Sequence, residues 1–298
     1  MEYHNPVLLK ESVDGLNIQP DGTYVDVTFG GGGHSKEILS RLGPKGKLLA
    51  FDQDKDALKN TIEDERFVLI HENFRFIKRF LRFYRVKMVD GILGDFGVSS
   101  HQFNEAQRGF STRFDAKLDM RMNQSSTLSA YEVINEYEEK QLKSLFYSYA
   151  DLKNAPKLAR TIVSERKNAP IKTSEQLNDL LKPMLFKGKE NKILAQIYQA
   201  IRIEVNQEIE VLKAFLLQTK ELIKKGGRLS LISYHSLEDR LVKRYIRSGL
   251  FEGEPEKDFF GNISVPFKKV NGLIVPSKEE IKENNRARSA KLRVAIKL

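Results

Sequence analysis

One segment constrains the fold more than any other: Thr23-Tyr-Val-Asp-Val-Thr-Phe-Gly-Gly-Gly-Gly-His-Ser35. An alternating apolar run breaks into four glycines, and helical periodicity follows at once. Val25, Val27 and Phe29 share one face of a strand under a period of two. Gly30 to Gly33 can take positive φ and let the backbone approach a ligand. Ser35–Leu42 then reads as a helix that buries Ile38, Leu39 and Leu42. A strand, a glycine turn and a helix N-terminus make a nucleotide-type site at the carboxyl edge of an α/β sheet. A glycine-rich turn that binds nothing carries the same local signature.

Asp52 closes the run Lys47-Leu-Leu-Ala-Phe-Asp, 22 residues after Gly30. An acid about 20 residues on, at the end of the second strand, is where a carboxylate holds a ribose diol. NAD and S-adenosylmethionine both carry that ribose. A dinucleotide fingerprint wants a third glycine where this chain has Ser35, and no basic partner for a pyrophosphate stands nearby. The pattern therefore favours S-adenosylmethionine, with NAD as the alternative.

Residues 20–98 alternate strand and helix. Strands are expected at 24–29, 47–52, 67–71 and 88–94, and helices at 35–42, 54–62 and 76–84. Such alternation implies a doubly wound, Rossmann-like parallel sheet. The texture then turns helical. Between Gly97 and Gly226 the only glycines are Gly109 and Gly188. Ser129-x-x-Glu132 and Thr173-x-x-Gln176 are capping boxes, the first opening a helix to about Tyr149. Further helices fit 156–167 and 193–204, the latter from Leu194, Ile197, Ile201 and Val205 at helical spacing. Residues 108–205 thus read as an inserted all-helical domain, and the flanking 1–107 and 206–298 as one α/β domain. From Glu208 a helix is expected to run to Lys225 and stop at Gly226-Gly227. A strand follows at 228–234, then a helix capped by Ser236. A closing strand at 290–297 is expected in the same sheet as the first.

Composition narrows the class. In 298 residues there is no cysteine, which excludes a disulfide framework and thiolate metal sites. His4, His34, His71, His101 and His235 show no His-x-x-x-His or Glu-x-x-His spacing, so no metal is expected. No apolar run approaches a membrane span of about 20 residues. The opening Met1-Glu-Tyr-His-Asn-Pro lacks the basic and apolar parts of a secretory signal. A cytoplasmic protein is the expectation. Net charge is +10, a balance suited to nucleic acid.

Several side chains fall where chemistry gathers. Asp95 ends the fourth strand beside the glycine turn. It can accept a hydrogen bond from an adenine, a methionine ammonium or a substrate amine, or simply cap a turn. Phe74 can lie against an adenine face or in the core. Gln102 can reach cofactor or substrate, or face solvent. His235, after Leu231-Ile-Ser-Tyr, can position substrate, act as acid or base, or make a structural hydrogen bond. Arg240, Lys243, Arg244 and Arg247 share one helix face that can meet phosphates or only water. The tail Arg286-Ala-Arg288-Ser-Ala-Lys291-Leu-Arg293 adds another basic cluster. Phe76, Phe80, Phe83 and Tyr84 interleave with Arg75, Lys78, Arg79, Arg82 and Arg85. That pattern suits a stacking platform, but helical phasing predicts that most of these rings are core.

Together these pieces closely resemble the bacterial 16S ribosomal RNA cytosine-N4 methyltransferases, the MraW family. The resemblance runs nearly end to end. It rests on Gly32-Gly-His-Ser35, Asp95-Phe-Gly-Val-Ser-Ser100, Arg108-Gly-Phe-Ser111, Leu118-Asp-Met-Arg-Met122, Gln199-Ala-Ile-Arg-Ile-Glu-Val-Asn206, His235-Ser-Leu-Glu-Asp-Arg240 and Arg286-Ala-Arg-Ser-Ala290. It implies that 1–107 and 206–298 form a class I S-adenosylmethionine-dependent methyltransferase domain and that the inserted helical domain, 108–205, recognises substrate RNA. It implies methyl transfer to the exocyclic N4 of a cytidine in the decoding region of small-subunit rRNA. Carried over by position, cofactor contacts fall on Gly32, Gly33, His34, Asp52, Phe74, Asp95 and Gln102. Asp95 and His235 are the catalytic candidates, and the 240–247 stripe is the RNA candidate. The family pattern leaves a homodimer open. Gly94, His101 and Tyr234 stand where the family usually has leucine, proline and phenylalanine. Many amino-methyltransferases place Asp/Asn-Pro-Pro-Tyr after strand four; this chain has Asp95-Phe-Gly-Val instead.

Overall fold

The computed structural model of the chain describes residues 6–255, 257, 259–260 and 263–298. His4 and the rest of residues 1–5, most of the segment read for a secretory signal, lie outside them. The chain divides into two compact units, Met1–Gly97 with Ile209–Leu298, and Val98–Glu208.

Among the described residues the first unit is built on seven strands: β1 (Thr23–Asp26), β2 (Lys47–Asp52), β3 (Phe67–His71), β4 (Val89–Asp95), β5 (Ile223–Ser233), β6 (Phe267–Lys269) and β7 (Lys291–Lys297). Their order is β3-β2-β1-β4-β5-β7-β6. β1 to β5 run parallel, and β7 is antiparallel to both β5 and β6. This is the doubly wound sheet that the strand–helix alternation implies, with an antiparallel closing pair. The closing strand does join the sheet that contains β1.

Helices α1 (Leu9–Gly15), α2 (Gly33–Arg41) and α3 (Ile77–Phe83) accompany the first strands. A parallel sheet must be covered on both faces, so its strands are apolar on both sides of the pleat. Here the pleat sorts them. Tyr24, Leu48, Ala50 and Leu93 pack with Val13, Ile38 and Leu39. Val25, Leu49, Phe51, Ile92 and Leu229 pack on another cluster with Ile77, Leu81, Phe215 and Tyr245.

Some expectations are corrected. β1 ends at Asp26, although Val27 N still donates to Leu93 O. Phe29 consequently leaves the Val25 and Val27 cluster and packs at 5.5 Å on Phe67. The helix expected at 54–62 is a 3-10 turn, Lys55–Asn60, which buries only Ala57. It has no apolar stripe to hold a longer helix.

The second unit carries α4 (Ser100–Asn104), α5 (Ala130–Glu136), α6 (Glu139–Ala150), α7 (Ala155–Glu165), α8 (Ser174–Leu181) and α9 (Glu190–Val205). It starts at Val98 rather than 108, because Val98 and Phe110 already pack on its core. The helix expected from Ser129 to Tyr149 is two helices. Tyr137 is extended between them, and Glu138 with Gln141 forms a second capping box. The irregular 108–129 stretch is tied down by backbone bonds. The Arg108 guanidinium donates to the carbonyls of Arg121 and Met122, at 2.9 and 3.2 Å. Asn206 accepts from Met122 N and donates to Met120 O, at 2.7 and 2.8 Å. Three of the sequence motifs thus meet in one structural knot.

The chain returns through α10 (Glu208–Leu222), which ends three residues before the expected Lys225 and passes straight into β5. α11 (Ser236–Ser248) follows, and α12 (Lys278–Glu283) precedes β7. His235, not Ser236, is the N-cap of α11.

Candidate active site

The parallel strands deliver their last residues to one edge. Asp26 is aligned with Leu93, Asp52 with His71, and Asp95 with Ile232. The glycine turn lies across this edge, with Phe29 N donating to Phe51 O at 2.9 Å. Gly30 N donates to Asp52 Oδ2 at 2.7 Å, and Asp54 N to Oδ1 at 2.8 Å. Gly30 has φ +52 and Gly32 φ +78, the left-handed region that glycine enters without a Cβ penalty. A Cβ built on Gly30 would meet nothing within 4 Å. The turn therefore presents bare backbone to open space beside a carboxylate that still has lone pairs to offer.

A second carboxylate is buried beneath the turn. Asp26 is fully buried and accepts from Ser35 Oγ at 2.7 Å and Thr28 N at 3.0 Å. Asp95 N donates to Thr28 Oγ1 at 2.6 Å, so Thr28 links the ends of β1 and β4. Asp95 Oδ1 accepts from the Tyr234 hydroxyl at 2.8 Å. His34, also buried, has Nε2 3.2 Å from Val7 O.

Burial is the largest influence on all three carboxyls and pushes each upward, Asp52 and Asp95 both to about 6. The nearby His34 opposes the rise at Asp26 and Asp95, as do the Ser35 and Tyr234 hydrogen bonds. The charge of Asp26 also raises both Asp52 and Asp95. In a chain of net charge +10, this edge is a pocket of closely spaced acids. Such a cluster favours a cationic ligand, which would restore the charged carboxylates.

Of the residues expected from sequence, Gly32, Gly33, His34, Asp52 and Asp95 come together at this edge. Phe74 follows β3 at the same edge. It is half-buried, with ring centroids 5.8 Å from Phe96 and 5.3 Å from Phe215. His235 follows β5, and its ring is committed to the α11 cap. Nδ1 accepts from Glu238 N at 3.5 Å, and Nε2 lies 3.1 Å from Glu238 Oε1. On α11, Arg240, Lys243 and Arg247 are exposed, whereas the half-buried Arg244 donates to Gly253 O. In the tail cluster, Arg293 and Lys291 lie 2.6 and 3.5 Å from Asp239. Gln102 belongs to the helical unit. It is buried, not a surface residue, and closes a capping box with Ser99 at 3.1 and 3.2 Å.

Over residues 1–298 the sequence matches the MraW methylase family. The chain belongs to that family. It is similar to proteins named ribosomal RNA small subunit methyltransferase H. That of Christiangramia forsetii is 87% identical, covering 100% of this chain and 99% of its own. That of Flavobacterium johnsoniae is 70% identical over the same shares. That of Bacteroides thetaiotaomicron is 54% identical, over 100% of this chain and 98% of its own. Within this MraW chain, sequence reasoning passed over Asp26, Thr28 and Tyr234 as parts of the site. Asp26 carried a signal: a carboxylate between Val25 and Val27 breaks the apolar strand that surrounds it. Tyr234 carried one too, as a hydroxyl where the family resemblance expects none.

Proposed function

We propose that this chain transfers a methyl group from S-adenosylmethionine to the exocyclic N4 of a cytidine in the decoding region of small-subunit rRNA. The coarser part, methylation of small-subunit rRNA, follows the names of relatives up to 87% identical over the full chain. The carboxylate cluster of Asp26, Asp52 and Asp95 supports the donor. A sulfonium cation suits three acids, and a dianionic pyrophosphate, as in NAD, does not.

The residues fit such a donor. Asp52 would hold the ribose hydroxyls while its other lone pairs keep the Gly30 and Asp54 amides. Gly32, Gly33 and His34 would line the amino-acid side, and Phe74 the adenine side. S-adenosylmethionine supplies, when bound, an activated methyl group. The amine of cytosine is a weak nucleophile, because its lone pair is shared with the ring. The protein's task is therefore orientation and acceptance of the amine proton. Asp95 is the acceptor. With a carboxyl near 6, it is a carboxylate at neutral pH and still basic enough to hold a proton. Tyr234 fixes its rotamer through Oδ1, leaving Oδ2 for the amine. His235 holds the start of α11, so it positions Tyr234 and does not itself take the proton. The base must leave its stack to reach the edge, at a cost of a few kcal/mol. Arg240, Lys243 and Arg247 supply phosphate contacts around it, and the helical unit supplies further RNA recognition.

The test is methyl transfer from labelled S-adenosylmethionine to small ribosomal subunits from cells lacking this enzyme, followed by nucleoside analysis. N4-methylated cytidine, lost in Asp95→Ala, is expected. Donor binding without labelled cytidine would overturn the substrate, and absence of donor binding would overturn the reaction.

A further inference from the structure

From Phe74 to Met88 the chain has six basic residues and no acidic one. Helical phasing predicts that its rings are core, yet the structure turns several outward. Ile77 and Leu81 are fully buried and set the inner face of α3. Phe76 and Phe83 fall on the opposite side, with Arg79 one turn from each. Phe83 is 75% exposed, and Phe76 and Tyr84 are 41% and 40% exposed. Phe83 and Tyr84 meet edge to face at 5.1 Å, which holds one ring upright beside the other. Lys78 is neutralised by Glu221 at 2.5 Å. Arg79, Arg82, Arg85 and Lys87 have no such partner among the described residues.

Exposed rings set among uncompensated cations match the two requirements of single-stranded nucleic acid. Bases stack on rings, and phosphates meet the cations. An apolar partner would leave four charges desolvated. The end of α3 adds a detail. Arg85 is the left-handed residue that terminates the helix, at φ +57, where glycine costs least. The sequence thus has an arginine at a position where backbone conformation argues for glycine.

We infer that the outer face of α3, centred on Phe83 and Arg82, is a docking surface for single-stranded RNA. The inference rests on the reading of the chain as an rRNA methyltransferase. The end of α3 leads into Val89, at the start of β4, whereas Asp95 ends that strand. Seven residues of strand place the two edges about 20 Å apart at about 3.3 Å per residue. The surface therefore lies outside the donor site, and it extends the footprint on RNA to the far edge of the sheet.

The experiment uses full-length protein and three variants: Phe83→Ala, Arg82→Glu and Arg85→Gly. The first two change exposed side chains, and the third puts glycine at a left-handed position, so all three should fold. Affinity for a fluorescein-labelled single-stranded oligoribonucleotide is read by anisotropy across a salt series. Donor binding is read by calorimetry, and KM on small subunits by methyl transfer. Phe83→Ala should bind the RNA about tenfold more weakly. Each arginine variant should flatten the salt dependence by about 0.7 in the logarithmic slope. Donor binding should be unchanged and KM raised. Wild-type RNA affinity and KM in all three variants would overturn the inference while leaving the methyltransferase reading intact. Weakened RNA binding in the variants, with no methyl transfer by the wild type, would uphold the surface and overturn that reading. Wild-type binding to anionic vesicles that the variants lose, or self-association that they lose, with RNA affinity intact in either case, would also overturn it.

Discussion

The Tyr234 hydroxyl donates to Asp95 at 2.8 Å, and phenylalanine at this position keeps the ring and removes the donor. Because Asp95 must be ionised to accept a proton, the rate should rise with pH through about 6. The Tyr234 bond favours the charged form, so Tyr234→Phe raises the carboxyl further. A bond to a charged group is worth about 1.5 kcal/mol, or about one pH unit. The acid limb of the kcat profile should move up by about that amount, with donor affinity unchanged. An unmoved limb would detach Asp95 from proton transfer. Asp52 makes a different prediction, about stability. Burial raises its carboxyl from 3.8 to about 6. The folded state then binds this proton more tightly than the unfolded chain does. The group's contribution is complete below about 4 and is lost as pH rises through about 6. Asparagine does not titrate. The melting-temperature difference between Asp52→Asn and wild type should therefore grow in the variant's favour across that window and level off above it. The gain should reach about 1–2 kcal/mol, since the carboxylate keeps some contact with water. Donor affinity should fall in the same variant.

Among elements, the turn after Arg108 gives the sharpest substitution. Gly109 has φ +71, and a Cβ there would stand 2.5 Å from Lys117 O. Backbone cannot yield as a side chain can, so Gly109→Ala should cost about 2 kcal/mol or more, read as a lower denaturant midpoint. On α11, Arg240→Glu with Arg247→Glu should weaken binding to small-subunit rRNA and flatten its salt dependence, leaving the melting temperature within a degree or so. An unchanged salt slope would mark the stripe as a solvated face. These elements also show what was legible in the sequence. β2 and β3 fall at their expected residues, because each is a run of four apolar positions between turn signals, the length of a buried strand. The capping boxes at Ser129 and Thr173 are found as read, since each is a local bond between side chain and backbone. The α3 rings are not, because phasing depends on where a helix starts. α3 begins at Ile77, after a 3-10 turn, and this sets Phe76 and Phe83 outward. At the site, Asp52 and Asp95 were legible as acids at strand ends. The Thr28 and Tyr234 links were not, because they join residues 67 and 139 positions apart.

At the scale of the molecule, the strand–helix alternation up to Gly97 and after Glu208 predicts one sheet interrupted by a helical segment, and the chain has that organisation. What sequence could not supply is the order in which β6 and β7 close the sheet. β6 has only three residues and no period of its own. The helical segment has its own core: Phe146, Leu142, Ile162, Leu177, Ile197 and Ile201 are all fully buried in it. Its irregular 108–129 stretch finds its backbone partners inside the same segment, through Arg108, Ser129 and Asn206. A segment that buries its apolar side chains and satisfies its loops internally meets the conditions for a folding unit. A fragment spanning Val98–Glu208 should therefore show a helical circular dichroism spectrum and a single cooperative thermal transition. Phe146→Ala should lower that transition by about 3–5 kcal/mol of stability, the cost of deleting a large buried ring. In the full chain the same substitution should split unfolding into two steps, with donor protection confined to the later one. A fragment without a cooperative transition would mean that the helical segment owes its stability to the sheet.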